Sequence, residues 1–242
     1  MPGGAGSAGS QDGAKGSGFT SKTLALARKD IRIEARARQT LVPMVVFALT
    51  VAVVLGFATP DRARLATSVT AGYLWITVLF AGLIGFARTF AIEQEDGALD
   101  TLLLAPLDRS GLFAAKAGAN LAGVLTLQGI VLPLFALLFD LDLGTRWATL
   151  AVVVALTDVG FVSVGTLFAA LAAQTRSREL ILPVLALPML VPVFIPAVEL
   201  SADLLGGRPL PEVATRGWFA ILVCFDVVAA TVGALTFEYA IE

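Results

Sequence analysis

The chain has 242 residues, 57% of them hydrophobic and 15% charged, with a formal net charge of −2 and a mean hydropathy of +0.85. A soluble domain is about a quarter charged, so that class is excluded, and the near-neutral balance gives no bulk attraction for nucleic acid. Histidine is absent and Cys224 is the sole cysteine, so no usual general base, zinc cluster, intrachain disulfide or CxxCH haem attachment can be built. No catalytic residue and no metal site is expected, and Cys224 reads as a small buried hydrophobe.

A membrane-spanning helix needs ~20 apolar residues, so the chain has room for six spans and for no separate catalytic domain. The expected class is all-α and polytopic. Residues 1–18 are Gly, Ala and Ser with no apolar face to bury and read as a disordered tail. They lack the apolar core of a signal peptide, so insertion is expected from the spans themselves. Residues 19–40 read as a basic amphipathic helix, with Leu24, Ala27, Ile31 and Ala35 on one face, lying on the membrane surface against anionic lipid or forming a solvated basic extension of the first span.

A six-span domain over 41–240 follows. Its expected spans are 41–58, 71–92, 112–139, 147–173, 180–198 and 218–240, with Tyr73, Trp75 and Tyr239 as anchors at the membrane interface. Met44 and Met189 sit in apolar runs and read as core gap-fillers. The fifth run holds Pro183, Pro188, Pro192 and Pro196, which predicts a kinked helix or one that ends early and re-enters. With an even number of spans and the N-terminus inside, 12 of the 17 lysines and arginines fall on the inner side. Both termini are therefore expected in the cytoplasm.

Three groups of residues stand out. Asp158 and Asp226 lie well inside the fourth and sixth spans. A charge at mid-bilayer costs ~2.5–3.5 kcal/mol on insertion scales, so each is expected to face the bundle interior, a cavity or another subunit, as a pathway lining or subunit contact, or else to be a protonated or hydrogen-bonded acid near an end of its span. The third group is the stretch Glu93–Arg109, EQEDGALDTLLLAPLDR, between the second and third spans. Its acids, Glu93, Glu95, Asp96, Asp100 and Asp108, surround Leu99, Leu102 and Leu103 at i, i+3 and i+4, one face of a short helix. Asp96-Gly97 is a start signal and Pro106 a stop. Two turns are too short to hold alone, so the leucine face is expected either to seek a partner groove or to lie on the lipid interface.

The run from Trp75 through Arg109, WITVLFAGLIGFARTFAIEQEDGALDTLLLAPLDR, resembles heme exporter protein B (CcmB), the permease family of the cytochrome c maturation system. The resemblance continues through KAGAN at 116–120 and LPLFALLF at 132–139, and upstream through KDIRIE at 29–34. It covers roughly residues 22–240. Gln94 stands where the family carries a basic residue, and Asp100 where it carries Glu.

The resemblance implies a six-span permease of the ABC-2 type, a homodimer within a larger complex in a bacterial or organellar inner membrane. It further implies a cytoplasmic ATPase that docks on 93–109 and binds the ATP, together with a haem-handling membrane subunit and a small single-span subunit. ATP use would be tied to haem delivery or to release of a haem-loaded periplasmic chaperone. In agreement, the chain has no GxxxxGK[ST] phosphate loop, so it is not itself expected to be an enzyme. With no histidine to ligate iron, haem is expected on a partner. Other readings are a permease for a different substrate, such as a drug or a lipid-linked glycan, a scaffold with no transported substrate, and a proton-coupled carrier using Asp158 and Asp226.

Overall fold

Apolar runs of this length can satisfy their backbone groups inside a bilayer only as helices, and helices are what form. A computed structural model describes residues 38–59, 66–95, 109–141, 144–173, 178–208, 212–213 and 216–241. In chain order the helices are α1 (Arg38–Ala58), α2 (Thr67–Glu95), α3 (Arg109–Leu138), α4 (Trp147–Ala173), α5 (Arg178–Leu205) and α6 (Trp218–Ile241). A single 3₁₀ turn, Gly144–Arg146, leads into α4. Each of the six contains a segment long and apolar enough to cross a membrane. The protein is a multi-pass membrane protein. Thr40–Glu242 makes one unit, and the description below concerns it; residues 19–37 of the expected surface helix lie outside the described residues.

Lipid tails are as apolar as leucine, so association of these helices depends on close packing and polar contacts. Helices α2 and α4 bury the largest share of their spans, and α1, α3 and α6 the smallest. Helix α4 packs against α2, α3, α5 and α6. Glycine makes the central crossing possible. A Cβ added at Gly82 of α2 would fall on the Phe161 ring of α4, and one at Gly165 of α4 on the Phe86 ring of α2. The two rings lie 4.9 Å apart. Each helix thus inserts a phenylalanine into a notch in the other. Gly82 to Phe86 and Phe161 to Gly165 each advance one turn in the same direction, so α2 and α4 run parallel.

The same device recurs outward. Met44 seats α1 at Gly85 of α2, and Phe113 seats α3 at Gly233 of α6. Trp75, Phe194 and Phe161 make edge-on contacts at 5.9 and 5.2 Å, which carry the aromatic core from α2 through α5 to α4.

Helix ends follow backbone chemistry. At the end of α5, Gly207 has φ +79°. The Arg208 N–H donates to Asp203 O (3.0 Å) and the Gly207 N–H to Leu204 O (3.3 Å), a Schellman cap. At the end of α3, Asp140 takes φ +51° and the Leu141 N–H donates to Ala136 O at 3.0 Å.

Several expectations are corrected. Helix α5 neither ends early nor re-enters: it is continuous through all four prolines and extends past the expected end at Val198 to Leu205. A proline removes one intrahelical bond, and packing within a membrane bundle tolerates that loss without ending the helix. Trp75 is not an interface anchor. It is 1% exposed and its indole is bonded within the bundle (Nε1–Ser201 Oγ, 2.9 Å). Cys224 is exposed and Met189 is 49% exposed; both face away from the core, where an apolar side chain loses nothing by meeting lipid. Met44 is buried.

Candidate functional site

Of the 93–109 stretch, Glu93 and Glu95 close α2 and Arg109 opens α3. Asp96, Gly97, Leu99, Asp100, Leu102, Leu103, Pro106 and Asp108, with the short helix expected there, lie outside the described residues. The two helices that carry the stretch are tied just behind it. Thr89 Oγ1 on α2 lies 3.0 Å from Asn120 Oδ1 on α3, and 3.1 Å from its own Gly85 carbonyl. A hydroxyl has one hydrogen to donate, so Thr89 bonds across the seam or back to its own helix. Asn120 Nδ2 in turn donates to Thr166 Oγ1 on α4 at 2.9 Å. The feet of the stretch are therefore linked through Asn120 to the central helix.

Eight residues further along α3, Gln128 Nε2 donates to Asp158 Oδ1 on α4 at 2.8 Å. Asp158 lies eight residues before Thr166, so two polar bridges two turns apart fix an antiparallel α3–α4 register. Asp158 and Gln128 are buried, at 0% and 2% exposure. Among the described residues, their other oxygens, Asp158 Oδ2 and Gln128 Oε1, have no hydrogen-bond partner.

Asp226 occupies a different seam. It lies on the buried face of α6 with Leu222, Ala229 and Phe237. A Cβ added at Gly160 of α4 would fall 2.5 Å from its Oδ1 and 3.1 Å from Val193 of α5. Among the described residues, neither oxygen of Asp226 has a partner that meets hydrogen-bond geometry. Asp158 and Gly160 are two positions apart, roughly 200° around α4. The two acids therefore point to different neighbours, and the fold does not bring them into one site. Among the described residues, no group of three His, Cys, Asp or Glu side chains converges to hold a metal ion.

At the far end of the bundle, Asp203 gathers cations. It takes Arg208 Nε at 3.3 Å and Arg216 Nη1 at 3.0 Å. Ser201 and Asp203 fall beyond the expected end of the fifth span at Val198, yet both lie buried in the last turns of α5. Asn120, Gln128, Thr89 and Thr166 are not singled out by the sequence in the way an intramembrane acid is, because a neutral amide or hydroxyl costs less to insert than a charge. The signal was present: an amide inside an apolar run also needs a partner there.

Comparison with known proteins places this geometry in context. Residues 21–242 match the model of a family described as CcmB protein. The chain is similar to the heme exporter protein B of Bradyrhizobium diazoefficiens, 33% identical over 210 residues, covering 86% of this chain and 92% of that protein. It is also similar to the protein of the same name from Rhodobacter capsulatus, at 32% over 176 residues (73% and 80% of the two chains). The namesake from Pseudomonas aeruginosa is 30% identical over 204 residues (83% and 88%).

Proposed function

Because the chain belongs to the CcmB protein family, we propose that it is the membrane permease subunit of an ABC-type transporter complex acting in cytochrome c-type biogenesis. The observation that carries this reading is the family match over residues 21–242, on a bundle of six potential membrane spans. The relatives' name, heme exporter protein B, supports haem as the cargo of the complex. With no histidine and no phosphate loop, this chain leaves both haem ligation and ATP binding to partners.

In this reading a cytoplasmic ATPase subunit docks on Glu93–Arg109 through Leu99, Leu102 and Leu103. Closure of the motor pushes that stretch, and the Thr89–Asn120–Thr166 ties pass the push to α4. The complex, with a haem-handling membrane subunit, a small single-span subunit and two copies of this chain, delivers haem or releases a haem-loaded chaperone. It sits in a bacterial or organellar inner membrane with both termini of this chain in the cytoplasm.

Affinity purification of the tagged chain from its native membrane tests this. An ATPase and a haem-handling membrane protein are expected to co-purify. Recovery with an unrelated motor and no haem-handling subunit would reassign the cargo, and recovery with no motor would end the ABC reading.

A further inference from the structure

The Gln128–Asp158 bridge is one hydrogen short. A side-chain amide offers two donors and one acceptor oxygen, and an ionised carboxylate offers acceptors only. At this bridge Gln128 Nε2 donates to Asp158 Oδ1 at 2.8 Å. That leaves one acceptor on each partner, Gln128 Oε1 and Asp158 Oδ2, buried and unbonded. Two lone acceptors held by one buried pair, with no donor for either among the described residues, are costly.

We propose that Asp158 carries a hydrogen on Oδ2 and donates it to Gln128 Oε1, so that the two side chains close a neutral, two-bonded acid–amide pair across α3 and α4. Both groups are planar forks of matching size, and one of the two bonds is already in place. A single hydrogen then satisfies both orphan oxygens, which no rotation of the amide can do. With the amide flipped, its NH₂ would still face one oxygen and leave the other bare.

Among the described residues of the helices packed around α4, no basic side chain lies beside Asp158. Lys116 lies twelve positions before Gln128 on α3, about 18 Å along the axis. Asp226 of α6 faces Gly160. Glu199 and Asp203 lie in the last two turns of α5. Among the described residues of α2's span, Arg88 is the ionisable side chain besides Tyr73, and it is exposed near the 93–109 end. Asp158 is thus a fixed, uncharged rivet in the bundle. It is neither a lining charge nor a carrier of protons, and this holds whatever motor or cargo the complex uses.

Infrared difference spectroscopy on the full chain in its complex, in lipid nanodiscs at neutral pH, tests the hydrogen directly. Subtracting Asp158→Asn from wild type cancels Asp226 and every other acid. The difference is expected to show the C=O stretch of one protonated carboxyl, with thermal stability retained, because Asn and Gln close an equivalent pair. The exchange Gln128→Glu with Asp158→Asn moves the acid to the other helix at unchanged side-chain lengths. It is expected to restore one protonated-carboxyl band, while Gln128→Leu destabilises the chain. A difference spectrum showing loss of an ionised carboxylate instead, or an exchange variant with no protonated band, overturns the proposal.

Discussion

Trp75 Nε1 lies 2.9 Å from Ser201 Oγ and donates to it, with both side chains buried. The bond ties α2 to the end of α5, beside the edge-on contact of the same indole with Phe194. Ser201→Ala would leave a buried N–H without a partner, which costs about 1–3 kcal/mol. Replacing both residues, as Trp75→Phe with Ser201→Ala, is expected to cost less than the two single losses added. A double-mutant cycle read by thermal unfolding in nanodiscs checks the coupling, and strict additivity would deny the bond any energetic role.

Glycines in this bundle are not equivalent. At Gly165 an added Cβ meets the Phe86 ring, whereas at Gly118 it meets nothing within 4 Å among the described residues. Gly165→Ala is expected to destabilise by about 1–3 kcal/mol through overpacking. Gly118→Ala should be neutral or slightly stabilising, since alanine is the better helix former. Equal effects at both positions in a thermal-stability assay would mean that α2 and α4 are not notched together.

The pairs at Asp203 are expected to matter little. The side chains of Arg208 and Arg216 are 47% and 40% exposed, so solvent and salt screen them. Arg216→Ala should cost less than about 1 kcal/mol, and that cost should shrink as salt is raised. A large, salt-independent loss of stability would show instead that Asp203 needs both cations to remain buried.

Changing Leu99, Leu102 and Leu103 to Asp is expected to abolish co-purification of the ATPase while the chain still folds and inserts. Pull-down alongside a folding control, such as size-exclusion behaviour in detergent, separates the two. Full motor binding by the triple variant would remove the docking role of that stretch.

The spans were legible because each is a long apolar run that water would not tolerate, and the six runs are the six helices. What was not legible is where polar and apolar faces meet. Trp75 carries the chemistry of an interface anchor, and only the fold reveals Ser201 waiting across the seam. Cys224 and Met189 sit in runs that look like core, yet face outward, because a bilayer removes the energetic difference between core and surface. The prolines of α5 allow a kinked helix as well as one that ends early, and sequence does not decide between them; the helix runs through all four. Ser201 and Asp203 lie past the expected span end for a related reason: polar residues mark the end of the apolar run, while the helix continues to its cap at Gly207. Asp158 and Asp226 could be singled out by cost alone, but not the fact that they lie on opposite sides of α4.

The paired notches between α2 and α4 also bear on how this sequence can drift. Gly82 is bound to Phe161, and Gly165 to Phe86, so neither member of a pair can change size alone. A lineage in which position 161 shrinks frees position 82 to enlarge, and positions 86 and 165 trade in the same way. Across related sequences the two pairs should therefore vary together in opposite directions of volume, leaving a statistical trace of the crossing in an alignment alone.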